Sequence, residues 1–584
     1  MKTICFTLGL LLTFTLCAQR TLQPWGTWGL GKLNNPTKDF NLYAPFNIEG
    51  FTLSINWSDL EPTKGQYNWA YLDSRIEAVK AQNMFIGLLI LYGPNCPVWI
   101  YEKTPQVFTT GGNNDGPYPY YFHNYYKKNY YNIVNQIAQH IAAYPKETKS
   151  FIAWWQITEG STGDPEPYKG TPIDSAYVIP KDKWVQFRKD AWDSVWKYSN
   201  EAGRTYKILF NPGNDAEDLD YIEARYPAQM NKDGHLSHRY GFNGEAAYFF
   251  RQLDDVNNFF ANHRTRGEVQ QVWGYDWWIE APLQNAFALI CSALAGTLGI
   301  FNMPGGWINQ TGIDTRPTDF FNKYADYRRG AQTNKGFCAL RDVIDFADTN
   351  RFKISIYGPV VDPAARKRVE KKWKEIEDGT DSLSYQYWQK IQLVARNLNP
   401  ARVNMLVQEY AANGAEYNPD NANNADCLHN DFGVVMAKNY SKHLFQLRIN
   451  ETSIGRYRIG PDTGLYGRYC REFKIVNEQA AMWFKAHDSL YSGATNHVQI
   501  TVVYFDGGNG KWSVSNGSKE IKMHNTNTKQ WLTQVFDFPA FVARGYLDGT
   551  ADFAINYITG ANTKFTLIEF INLDKTIANN ITLH

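Results

Sequence analysis

Cysteine is scarce and poorly placed for any shared role. The 584 residues hold seven cysteines, two of them within the first 17 positions. The other five, Cys96, Cys291, Cys338, Cys427 and Cys470, are odd in number, scattered and without a CxxC pair. That excludes a disulfide scaffold or a zinc ribbon and predicts mostly buried free thiols. An excess of charge is also lacking. Lys+Arg 59 against Asp+Glu 58 leaves +1, which argues against a nucleic-acid binder. No GxGxxG or GxxxxGK[ST] fingerprint follows an early strand, so nothing supports a nucleotide-binding open sheet. No segment beyond the N-terminus is apolar enough to cross a bilayer; the richest, residues 287–301, is broken by Gly296 and Gly299. In the first half His235 and His238 are the close histidine pair, and no HxH is present, which counts against a metal-dependent hydrolase. With 43% apolar and 20% charged residues, wholesale disorder is excluded.

Aromatic residues are what the chain has in excess. They make up 15%, with 19 Trp and 37 Tyr. A large core absorbs many of these, and Trp and Tyr also suit stacking on the apolar faces of sugars. The N-terminus reads as an export signal over residues 1–18: Lys2, an apolar run from Ile4 to Leu16, then Leu16-Cys17-Ala18 as a cleavage site. Cys17 raises a lipoprotein alternative, ranked second because Leu16 stands where a small residue is expected.

Residues 19–350 alternate between strand and helix. The predicted strands are residues 25–30, 48–57, 85–92, 151–157, 207–210, 235–240, 269–275 and 299–303. Helical spacing is expected over 71–82, 130–143, 184–202, 245–263 and 284–298, with a last helix over 319–329 or 336–347. Eight strand–helix units predict an α/β fold, a (β/α)8 TIM barrel. Residues 351–430 are expected to be a helical and loop connection, with a charged helix at 364–378. Residues 431–584 predict an all-β sandwich, jelly-roll-like, with HVQITVVY at 497–504 alternating cleanly. Trp512 and Trp531 are expected to pack in it rather than to serve as platforms.

Barrel enzymes place their chemistry where strands end, on the carboxyl face. Two carboxyls stand out there. Glu159 follows strand 4 in WWQITEGSTGD, and Glu280 follows strand 7 in VWGYDWWIEAP. A lone Glu after a strand is more often a salt-bridge partner; two on opposite walls of one mouth suit glycoside hydrolysis, one as acid and one as nucleophile. Trp154 and Trp155 beside Glu159 would desolvate it and raise its pKa. Asp276 and Glu245 are rivals, while Glu268 lies at the start of its strand, on the wrong face. Asn211 and Asn214 after strand 5 would hold sugar hydroxyls or make a turn.

Residues 55–89, INWSDLEPTKGQYNWAYLDSRIEAVKAQNMFIGLL, resemble the second unit of the clan A glycoside hydrolases, especially the family 42 β-galactosidase type. Trp57, Glu61, Pro62, Gly65, Tyr67 and Trp69 match its W-x-x-x-E-P-x-x-G-x-Y/F-x-W pattern. The run ALICSALAGTLGIFNMPGG at 288–306 resembles the seventh helix leading into strand 8. The resemblance implies a retaining mechanism, with Glu159 as acid/base and Glu280 as nucleophile. It also implies sugar contacts by His238 and Tyr240 at the end of strand 6, and by Trp307 after strand 8. Thr158 stands where most of the clan has an Asn that contacts the sugar 2-hydroxyl, and no second α/β domain follows the barrel.

The expected protein is therefore an exported, secreted or cell-surface, retaining β-glycosidase acting on an oligosaccharide or polysaccharide of β-galactoside or β-mannoside type. No metal or other cofactor is called for. Neither a nucleic-acid partner nor an integral membrane span is expected. Its activity would follow a bell in pH as Glu280 and then Glu159 ionise. The alternative is a non-catalytic carbohydrate-binding protein on a degenerate barrel.

Overall fold

The computed structural model describes residues 26–111, 116–161, 166–210, 221–222, 224–226, 236–242, 267–272, 300–304, 315–324, 333–340, 434–436, 439–459, 468–517, 519–543 and 551–576. The N-terminal signal at 1–18 and the connection at 351–430 lie outside them, as do the helices expected at 245–263 and 284–298.

Eight parallel strands close into a barrel. They are β1 (Gly26–Gly31), β2 (Gly50–Asn56), β3 (Phe85–Leu91), β4 (Ile152–Gln156), β5 (Lys207–Phe210), β6 (Leu236–Phe242), β7 (Gly267–Val272) and β8 (Ile300–Pro304). Each pairs with its sequence neighbours, and β8 closes on β1. The barrel, not an open sheet, is thus the observed topology.

β3 shows why the strands form. Its sequence FIGLLIL is apolar throughout because both of its faces are covered. Ile86, Leu88 and Ile90 join the large core shared with helices α3 (Trp69–Ala81) and α4 (Asn124–Ala143). The alternate residue Phe85 joins Trp28, Trp154 and Leu209 in a separate cluster, which fills the lumen. Trp28 stacks on Trp154 with ring centres 5.6 Å apart. Glycines make the room: a Cβ at Gly50 would lie 2.6 Å from Trp28, and one at Gly87 would lie 2.2 Å from Trp154. On α3 the buried residues are Leu72, Ile76 and Val79, as their spacing predicts.

The last described barrel helix, α7 (Arg316–Tyr324), covers part of the expected 319–329 helix. The alternative helix at 336–347 is corrected: residues Lys335–Ala339 form a strand, β9. Its side chains alternate between two cores, Phe337 and Ala339 on the barrel side, Cys338 and Leu340 in the sandwich. That period of two is a strand signature. β9 pairs with Lys564–Asn572 of the C-terminal sheet, so the sandwich takes a strand from before residue 350.

The C-terminal part is two antiparallel sheets of eight and five strands that bury one shared core, a sandwich. Trp512 is fully buried in it, its indole donating to Asn525 at 3.1 Å. Trp531 is half-buried against the barrel-side core. Phe337 packs on Phe320 and Tyr324 of α7 at 5.0 and 4.8 Å. Around them Tyr324 donates to Glu569 at 2.6 Å, Lys323 pairs with Glu569, and Lys442 Nζ donates to the Tyr324 carbonyl at 2.9 Å. Barrel and sandwich therefore share a packed, hydrogen-bonded joint. Cys96, Cys338 and Cys470 are buried thiols outside any disulfide.

Candidate active site at the carboxyl ends of the strands

The motif after β2 folds into a lock. Residues Trp57–Leu60 form one helical turn, α2. Glu61 then turns its carboxylate back. Oε2 accepts from the Trp57 indole at 2.9 Å, and Oε1 accepts from the Gly65 amide at 2.8 Å. The Glu61 carbonyl takes the Trp99 indole at 3.0 Å. Gly65 has φ +75°, which a side chain would strain. Glu61 is 2% exposed, and burial raises its pKa against the Gly65 amide, the Trp57 indole and the Lys64 charge. Tyr67 stacks on Trp69 at 5.1 Å, and Trp69 on His140 of α4 at 4.3 Å. The spacing W-x-x-x-E-P-x-x-G is thus that of a carboxylate joining an indole to a backbone amide.

β4 ends differently. Trp154 and Gln156 follow the inward alternation, while Trp155 and Ile157 belong to the helix-side core. Thr158 Oγ1 donates to the Ile90 carbonyl of β3. Glu159 then lies against the helix layer. Oε1 accepts from Arg188 Nε at 2.8 Å and from the Trp192 indole at 3.1 Å, both on α6 (Lys181–Glu201). Oε2 is buried and has no hydrogen-bond partner among the described residues. Glu159 is 1% exposed, and burial raises its pKa against the opposing charge and hydrogen bond of Arg188.

Burial raises the Glu159 pKa as expected, but Trp154 is not among the groups that bury it. Tyr130 of α4 and Trp192 of α6 surround the carboxyl, whereas Trp154 fills the lumen. The carboxyl is turned from the mouth towards the helices.

Sequence reasoning missed Arg188, Trp192 and Tyr130. A signal was present. Trp184, Phe187, Arg188, Ala191, Trp192 and Val195 form the buried stripe of α6, and an Arg in such a stripe demands a carboxylate.

Of the other predicted site residues, Glu280, Asn211 and Trp307 lie outside the described residues, as do Asp276, Glu245 and Asn214. His238 and Tyr240 are strand residues of β6, which runs on to Phe242 rather than ending at 240. His238 pairs in register with Phe210 and Glu268. Glu268 is the second residue of β7, at its amino end as expected. Among the described residues no group of three His, Cys, Asp or Glu is placed to hold a metal, and no helix is long and apolar enough to cross a membrane.

Residues 32–169 match the glycoside hydrolase family 42 model, described as Beta-galactosidase. That span runs from the end of β1 past Glu159 and contains the whole lock. Among curated proteins, Beta-galactosidase LacA of Lactobacillus acidophilus is 22% identical over 167 residues, 28% of this chain. The match spans 25% of that relative's length. Among solved structures, xylanase B from Clostridium stercorarium F9 aligns at 13% identity over 48% of this chain and 86% of that one, with a TM-score of 0.30. The lactosyl-enzyme intermediate of endo-glycoceramidase II from Rhodococcus sp. aligns at 10% identity over 51% of this chain and 78% of that one, with a TM-score of 0.36.

Proposed function

We propose that the chain is a glycoside hydrolase, a retaining β-glycosidase acting on an oligosaccharide or polysaccharide of β-galactoside or β-mannoside type. One observation carries this reading. A carboxyl just past the end of β4 has one oxygen clamped by Arg188 and Trp192, and burial favours its protonated form. A carboxyl whose pKa is raised by burial is what an acid catalyst needs. The family match over residues 32–169, which includes Glu159, supports it.

Glu159 acts as the acid and protonates the leaving oxygen, while Glu280 attacks the anomeric carbon. Water then releases the sugar with Glu159 as base. In the described geometry the carboxyl is withdrawn from the mouth, so proton delivery requires Glu159 to exchange the Arg188 contact for the substrate oxygen. Asn211, His238, Tyr240 and Trp307 complete the sugar site in this reading. Export by the N-terminal signal and a jelly-roll-like, glycan-associated sandwich belong to the same proposal.

The withdrawal of Glu159 favours one second reading, a carbohydrate-binding barrel without catalysis. The test is hydrolysis of nitrophenyl β-glycosides and plant or algal polysaccharides by wild type, Glu159→Gln and Glu280→Gln, with binding followed by calorimetry. Turnover in wild type that both changes abolish on natural glycans supports the enzyme. Binding without turnover, unaffected by either change, supports the second reading.

A further inference from the structure

Beneath the loops that follow β3 and β4 the interior is crowded with phenols. Tyr92 follows β3, Tyr121 precedes α4, Tyr126 and Tyr130 are on α4, and Tyr168 lies between β4 and α6. Their rings form one chain: Tyr92 to Tyr130 at 4.9 Å, Tyr130 to Tyr126 at 6.0 Å, Tyr126 to Tyr121 at 5.4 Å, Tyr121 to Tyr168 at 5.6 Å. All five are at least nine-tenths buried. Among the described residues none of these hydroxyls has a side-chain partner, Tyr126 alone lies against a backbone amide, that of Gly93, and Ser161 Oγ and Glu159 Oε2 are likewise unpaired. The Tyr130 hydroxyl is close enough to feel the charge of Glu159. Gly93 lets the backbone approach these groups: a Cβ there would lie 2.8 Å from both the Tyr121 hydroxyl and the Gly160 carbonyl.

Native interiors pair nearly all such groups, with protein or with ordered water. Here six hydroxyls, each able to donate and to accept, converge with a carboxylate oxygen that accepts. Arg188 and Trp192 are spent on the other oxygen. A cation is disfavoured beside the Arg188 guanidinium, and an anion beside Glu159. Water suits the donor and acceptor balance.

We propose that these seven polar atoms enclose a chain of internal waters that begins at Glu159 Oε2 and runs past Tyr130, Tyr126 and Tyr121 to Tyr168. Along this chain Glu159 exchanges its proton with the internal waters. At each link one oxygen gives up a proton as it receives another, so every tyrosine is neutral before and after. Tyr130 is the positioning residue next to the carboxyl. The groups facing that carboxyl are Arg188 and Trp192 from α6 and Tyr130 from α4. The acid/base role of Glu159 is taken from the proposed function; the hydration of the cluster does not depend on it.

The test is Tyr130→Phe in the full chain, with Tyr557→Phe in the sandwich as control. A crystal structure at atomic resolution is expected to show waters bridging the hydroxyls to Glu159. The infrared carboxyl band that disappears in Glu159→Gln is expected to shift in Tyr130→Phe. Its titration should move up by about one pH unit, a tenfold change in proton affinity, because the ionised form loses a donor. The alkaline limb of kcat/KM should move with it, and the control should move neither. A dry cluster with hydroxyls bonded to one another, or an unmoved band and limb in Tyr130→Phe, overturns the proposal. Bridging waters and a shifted band in a protein whose turnover ignores Glu159→Gln would leave the water chain standing and refute the catalytic reading instead.

Discussion

Two buried glutamates follow two strands of one barrel, and they are bound in opposite ways. Glu61, after β2, has both oxygens taken by neutral donors, the Trp57 indole and the Gly65 amide. Glu159, after β4, has one oxygen taken by a guanidinium and an indole, and the other by nothing among the described residues. Burial raises the pKa of both. A carboxylate with every oxygen satisfied holds a loop in place and gains nothing by moving. One half satisfied and raised in pKa carries a cost that structure alone does not repay, and such groups concentrate at functional sites. The motif match at β2 therefore reports a folding lock, while the proposed function puts the chemistry at β4.

That contrast breaks or sharpens by experiment. The largest effect is expected at Glu159. Glu159→Gln should lower turnover of unactivated glycosides by roughly 10²–10⁴-fold, the usual worth of an acid catalyst, in steady-state assays. Next is Glu61→Ala, which strands the Trp57 indole and the Gly65 amide. It should cost about 1–3 kcal/mol in denaturant unfolding, the worth of the one buried donor, the Trp57 indole, since the exposed Gly65 can turn to water, with KM unchanged in the folded fraction.

Asp506 in the sandwich extends the comparison to a third buried acid. It accepts from the amides and hydroxyls of Thr526 and Thr528. Burial pushes it up, but these bonds outweigh burial and hold it well below the usual carboxylate range. Its stabilisation is present above the ordinary Asp value of about 4 and is lost as pH falls. Glu159 has the opposite sign: its raised value leaves stability fully present at low pH and lost as pH rises through that value. Melting curves against pH should accordingly lose their acid-side fall in Asp506→Asn, at a cost of about 2 kcal/mol near neutrality. The smallest change is expected at the joint between the parts. Tyr324→Phe removes one hydrogen bond to Glu569 and should cost about 1 kcal/mol in unfolding, without touching the pH profile.

The barrel was legible because its strands and helices differ in period. FIGLLIL could only be a strand covered on both sides, and Leu72, Ile76 and Val79 could only be one face of a helix. The segment at 335–339 was read wrongly as a helix option, since five residues that divide their side chains between two cores show no polar face. At the site, the position of Glu159 could be read from sequence but its orientation could not. Arg188 is 29 residues away on another element, and such pairing becomes visible only when the helices pack. Trp154 misled for a related reason. It lies in the lumen cluster, whereas the Glu159 carboxyl faces α6.

The most direct test of the account is the dependence of kcat/KM on the leaving group in Glu159→Gln. A series of aryl β-glycosides of graded phenol acidity would be compared with wild type. The account predicts near-normal rates for the most acidic phenols and a steep fall as leaving groups become more basic, since only those need a proton. A uniform loss across the series, tracking the loss of folded protein, would contradict it and return Glu159 to the same class as Glu61.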